Sequence, residues 1–196
     1  MSHDTWIHRA ARIVARPLAR TPVTPNHVTT LRLATGVAAA AALAQGEADW
    51  RHWGAGIFIL AMFLDRLDGE VARLGGKTSP WGHRYDMLSD TLCNALAFLG
   101  LGAGLRAGAF GAWAPAMGLL AGLAIATILW LVIRMESHHG ARAGELGTTA
   151  GFDPDDGMIA VPILIWFGLS DWLLAGACLG APAFAIYMTL KFRKNL

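Results

Sequence analysis

Apolar residues gather into six stretches along the chain, separated by polar breaks. They run from Val28 to Ala44, from Trp53 into the polar run that starts at Asp65, from Tyr85 to Leu105, from Trp113 to Ile133, from Met158 to Leu169, and from Trp172 to Phe192. A helix needs about 20 mostly apolar residues to cross a hydrocarbon core roughly 30 Å thick, and most of these stretches approach that length. The fifth is shorter and contains Pro162, which removes a helical hydrogen bond. The pattern predicts an all-α polytopic membrane protein with about six transmembrane helices, or five and a re-entrant segment. Ahead of them, Trp6, Ile7, Ala10, Val14 and Leu18 recur at helical spacing, while Arg9, Arg12, Arg16 and Arg20 form a second stripe. This predicts an amphipathic helix on an anionic membrane surface, or an arm whose charge only fixes topology. No apolar core follows these charges directly, so the segment is not read as a signal peptide. The proline-containing run from Thr21 to Asn26 breaks that helix. The chain thus divides into an amphipathic juxtamembrane helix and turn at 1–24 and a transmembrane domain at 25–196.

Composition narrows the class further. Hydrophobic residues make up 55% of the chain and charged residues 15%, against roughly 25% charged in ordinary soluble domains. A soluble surface and a disordered chain are both excluded. A net charge of +2 is too balanced for a dedicated nucleic-acid binder, so no nucleic-acid partner is expected. Cys93 and Cys178 sit inside apolar runs, which argues against a disulfide framework. Twelve basic residues fall at the termini and in the loops of one side, whereas the opposite loops offer only Arg51 and Arg106. By the positive-inside rule both termini face the cytoplasm, which an even number of spans requires.

The chemistry concentrates between Asp65 and Asp90. Asp65 and Asp68 are three residues apart, Asp86 and Asp90 four apart, so each pair shares a helix face. The short loop between them lets two helices run antiparallel and brings the pairs together. Carboxylates in membrane helices cost about 2.5–3.5 kcal/mol each on insertion scales, and four facing one another need cations between them. Oxygen-only donors favour hard ions, Mg²⁺ or Mn²⁺. Gly69 and Ala72 leave the helix backbone open to a ligand. Arg73, one turn past Gly69, can fork across phosphate oxygens. Metal, small residues and an arginine together point to a pyrophosphate and to phosphoryl transfer. Glu70 points away from the Asp65 and Asp68 face and receives no role. The run Gly100-Leu-Gly102-Ala-Gly104 is read as close helix packing.

This arrangement resembles the CDP-alcohol phosphotransferase (CDP-alcohol phosphatidyltransferase) family, whose signature is D-x2-D-G-x2-A-R-x8-G-x3-D-x3-D. Asp65, Asp68, Gly69, Ala72, Arg73, Gly82, Asp86 and Asp90 occupy every fixed position. Pro25-Asn26, Thr29 and Arg32 resemble the motif that often opens the family's first membrane helix. The resemblance implies attack of an alcohol hydroxyl on a CDP-linked lipid donor, with CDP-diacylglycerol favoured, and release of CMP. It implies metal at Asp65, Asp68 and Asp86, with two ions expected, and Asp90 as the general base that also touches the second metal. It places Gly69, Ala72, Arg73 and Gly82 at the nucleotide, with Asn26 and Thr29 near the cytidine. Asn26 also reads as an ordinary cap or turn residue. A homodimer, membrane-lipid partners and a bacterial inner membrane with a cytoplasm-facing site complete the expectation.

The small alcohol acceptor is not named by the sequence. Lys77, Arg134 and Arg142 could receive an acceptor phosphate, whereas the acids from Asp153 to Asp156 suit a neutral or cationic acceptor, or only a solvated loop. His138 and His139 could bind metal or simply be solvated. Two other functions remain open: transfer from CDP-choline or CDP-ethanolamine to diacylglycerol, and divalent-cation transport through the acids.

Overall fold

The computed structural model describes residues 6–139 and 158–192, and its described residues form helices joined by short turns. In chain order these are α1 (Trp6–Ala19), α2 (Pro25–Ala44), α3 (Ala48–Leu74), α4 (Pro80–Gly104), α5 (Ala114–His139), α6 (Ala160–Trp166) and α7 (Ser170–Phe192), with two 3₁₀ turns between α4 and α5. The all-α class expected from the apolar pattern holds. Helices α2, α4, α5 and α7 are long and apolar enough to cross a bilayer. Helix α3 has 27 residues, about 40 Å at 1.5 Å per residue, and carries the signature acids in its last turns. The fifth apolar stretch differs from a full span. Its α-helical part, α6, has seven residues and stops where Gly168 takes a φ of 73°. The Gly168 and Leu169 N–H groups donate back to the Ile165 and Leu164 carbonyls, a Schellman ending.

The helix starts follow local chemistry. Thr24 caps α2: its hydroxyl accepts from the His27 N–H, and the His27 ring accepts from the Thr24 N–H, with Pro25 leading the first turn. Ser79 caps α4 in the same way, accepting from the Gly82 N–H at 2.9 Å with Pro80 behind it.

Helix α2 is central: α3 and α4 each pack along it far more extensively than on one another. Glycines permit the close approach. A Cβ at Gly100 would lie 2.3 Å from the Ala40 carbonyl oxygen, and one at Gly104 would lie 2.1 Å from that of Leu43. On the other side of α4, Gly102 meets Gly118 of α5. The glycine-rich run is therefore a packing seam, as read from the sequence. Gly100→Ala is expected to destabilise the protein by about 1–3 kcal/mol, because the obstacle is backbone and cannot swing aside. Gly176→Ala, at a position open to 4 Å, should leave the melting temperature in detergent unchanged or slightly raised.

Helix α1 has an additional face. Ala11 and Ala15 are fully buried and dock α1 on α3, where Ala15 joins Val28, Leu64, Leu67 and Val71 in a small core. Ile13 and Val14 remain exposed. At the opposite end of the bundle, Trp53, Trp113 and Trp172 are largely exposed, a placement that suits the aromatic belt of a membrane interface.

Candidate active site

The start of α2, the end of α3 and the start of α4 converge at the end of the bundle where α1 docks. One carboxylate oxygen from each of Asp65, Asp68 and Asp86 lies within 4.8 Å of the other two. The acid pairs meet as their spacing predicted, but by a different route. The α3–α4 pairing expected from the short loop is slight, and both helices instead present their acids to α2 between them.

Helix α2 supplies the countercharge. Arg32, 2% exposed, places Nη1 2.6 Å from Asp65 and 2.9 Å from Asp86, while its Nη2 pairs with Asp90. A guanidinium is flat and forked, so one side chain can serve three carboxylates on two helices. Its Nε is buried with no hydrogen-bond partner among the described residues. The Thr29 hydroxyl lies 2.7 Å from Asp68 and donates to it. Asp65 also accepts from Arg66 at 2.6 Å, and Asp90 accepts from the Asn94 amide at 3.2 Å. Asp90 thus stands beside the three-acid group, held by Arg32 and Asn94.

The donor set fits a divalent metal. Asp65, Asp68 and Asp86 offer only carboxylate oxygens, close enough to share an ion, and such donors suit hard cations. Arg32, Asp65, Arg66, Asp90 and Asn94 line the polar part of an adjoining cleft, and Phe58, Met62 and Met158 line its apolar part.

The other predicted residues are distributed around this centre. Gly82 faces Asn26: a Cβ on Gly82 would lie 3.3 Å from the Asn26 side-chain oxygen. Thr29 is buried, and its hydroxyl meets Asp68. Ala72 is half-buried, one residue before Arg73, whose guanidinium lies over Gly69 and donates to Glu70 at 3.0 Å. Lys77 is engaged elsewhere, donating to the Thr21 and Val23 carbonyls at 2.9 Å each, where it ties the α3–α4 loop to the α1–α2 turn. Arg134 stacks its guanidinium over Trp130 at 5.2 Å. Arg142 and the acids from Asp153 to Asp156 lie outside the described residues, as do the side chains of His138 and His139.

Two ionic residues carry more than the sequence reading assigned them. In the sequence Arg32 stands only at the tail of a motif, although a lone arginine inside an apolar span already demands an acidic partner. Glu70, which the helix-face pattern leaves without a role, is buried between two arginines. For Arg66 the sequence holds no signal, since it occupies a variable position of the signature between Asp65 and Asp68.

Comparison with known proteins agrees with this site. Residues 22–184 match the family model for CDP-alcohol phosphatidyltransferase. A phosphatidylinositol phosphate synthase from Mycolicibacterium smegmatis is 32% identical over 170 residues, covering 83% of this chain and 69% of that protein. Its family is generally metal-dependent, in keeping with the acid group found here. With apolar helices suited to a bilayer and a family match spanning most of its length, the chain belongs to the CDP-alcohol phosphatidyltransferase family and is an integral membrane enzyme that transfers substituted phosphate groups.

Proposed function

We propose that the protein transfers a phosphatidyl group from CDP-diacylglycerol to a small alcohol, with release of CMP. The observation that carries this reading is the acid group of Asp65, Asp68 and Asp86 in a membrane chain that matches the family model over residues 22–184, which suits a donor whose pyrophosphate is held by a divalent ion. The acceptor oxygen bonds to the lipid-linked phosphorus, and the bond from that phosphorus to the CMP oxygen breaks. Asp90 takes the hydroxyl proton, with Arg32 and Asn94 holding its carboxylate in place. Arg73 forks across the pyrophosphate, Gly69, Ala72 and Gly82 leave room for the nucleotide, and Asn26 lies near the cytidine. Thr29 acts through Asp68. Asp65, Asp68 and Asp86 would hold Mg²⁺ or Mn²⁺, two ions with Asp90 contributing to the second, and the metal supplies charge neutralisation at the phosphate oxygens.

The name of the Mycolicibacterium relative favours a phosphorylated inositol as the first acceptor to test. The test is CMP release by the purified protein with CDP-diacylglycerol and with CDP-choline as donors, each against a panel of alcohols. Activity with CDP-choline and diacylglycerol alone would overturn the donor assignment. Arg16, Arg73 and Arg84 are exposed on helices that meet at the acid end of the bundle, which supports a cytoplasm-facing site in a bacterial inner membrane. Cysteine-accessibility labelling tests that orientation, and cross-linking in native membranes tests the homodimer.

A further inference from the structure

Glu70 is a buried ionised group that the reaction above does not use. It follows Gly69 on α3, on the side away from Asp65 and Asp68, yet it is only 2% exposed. A carboxylate taken out of water is costly unless paired, so packing alone does not account for a glutamate here. Each of its oxygens meets a different arginine. Oε1 accepts from Arg73 Nη2 at 3.0 Å, and Oε2 accepts from Arg12 Nε of α1 at 3.3 Å.

The Arg73 side chain is 43% exposed, and a Cβ on Gly69 would lie 3.4 Å from its Nη2. Its guanidinium is thus braced by Glu70 on one side and laid over a turn with no side chain on the other. A guanidinium has five N–H donors, and the Glu70 contact leaves others to meet a phosphate. An arginine already held in place loses less freedom on binding than one sampling many rotamers. Arg12 is in turn positioned by Ala11 and Ala15, which seat α1 on α3.

We propose that Glu70 is a positioning residue for Arg73 and that Arg12 completes the clamp, so that the docked amphipathic helix α1 sets affinity for the pyrophosphate of the donor. The proposal rests on the reading of Arg73 as a donor contact. A glutamate that merely anchors α1 would change the melting temperature and leave the donor KM alone.

The test uses the full chain in mixed micelles with CDP-diacylglycerol, below the melting temperature of every variant. Glu70→Gln is expected to raise the donor KM roughly tenfold with kcat changed by less than about twofold. Arg12→Gln should raise the donor KM by roughly threefold, and Arg12→Lys should recover most of that loss. In an Arg73→Lys background, Glu70→Gln should add much less than it does alone, because the two act through one contact. Unchanged donor KM in Glu70→Gln, with a raised KM in Arg73→Lys, would overturn the clamp. Unchanged KM in Arg12→Gln alone would remove α1 from it. If Glu70→Gln does not fold, the half-exposed Arg12 carries the decision. A wild-type donor KM in Arg73→Lys would instead overturn the assignment of Arg73.

Discussion

Asp68→Asn is expected to abolish nearly all CMP release while leaving the protein folded. The side chain is 3% exposed, accepts from Thr29, and belongs to the three-acid group with Asp65 and Asp86. Asparagine keeps the shape and can still accept from the threonine hydroxyl, but it lacks the charge that would hold a divalent ion. That ion is worth several kcal/mol in phosphoryl chemistry. Removing one of several mutually repelling carboxylates relieves strain in the metal-free protein, so its melting temperature should hold or rise. Asp65→Asn and Asp86→Asn should lose CMP release in the same way, without the gain in melting temperature, because each also gives up an ion pair with Arg32. Asp90→Asn should differ: the donor and the ion held by Asp65, Asp68 and Asp86 still bind, while turnover falls by roughly 10²–10⁴, the usual contribution of a general base. The measurement is CMP release against Mg²⁺ or Mn²⁺ concentration, alongside thermal unfolding. Wild-type rates at low metal in Asp68→Asn would refute the metal assignment.

Arg32→Gln should act in the opposite sense on stability. Arg32 pairs with Asp65, Asp86 and Asp90 from a buried position, and glutamine leaves those carboxylates facing one another without a cation. Breaking a buried charge pair from one side costs about 3–5 kcal/mol, a large share of a protein's net stability. The variant should melt well below wild type without divalent ion, and millimolar Mg²⁺ should recover part of the loss. Adding Asp90→Asn should also recover part of it, by removing one of the stranded charges. Arg32→Lys should be intermediate, because one ammonium cannot reach as a fork reaches. An Arg32→Gln protein that melts like wild type without divalent ion would show that the acids do not depend on this guanidinium.

Much of the protein is legible along the chain because its strongest signals are local. Apolar runs of bilayer length define α2, α4, α5 and α7, Thr24-Pro25 and Ser79-Pro80 mark the starts of α2 and α4, and three- and four-residue spacings put each aspartate pair on one helix face. The family signature adds Gly69, Ala72, Arg73 and Gly82. The fifth apolar run shows the limit of that reading. Its hydrophobicity is real, but Gly168 terminates α6 after seven residues, and a glycine among apolar neighbours does not announce whether it will pack in a helix or end one.

The sequence by itself therefore determined the membrane class, the main helices and the acids that share a face, since these depend on 3.6-residue periodicity, turn chemistry and hydrophobic length. Only the tertiary structure decided which helix stands among those acids. Glycines in α2 and α4 admit backbones to within contact, but a glycine does not specify its partner across the interface. Once α2 lies between α3 and α4, Arg32 becomes the common countercharge, Thr29 reaches Asp68, and the docking of α1 by two alanines brings Arg12 to Glu70. Those pairings join residues from 33 positions apart, Arg32 and Asp65, to 58 positions apart, where helical periodicity carries no information and packing geometry alone selects the neighbours.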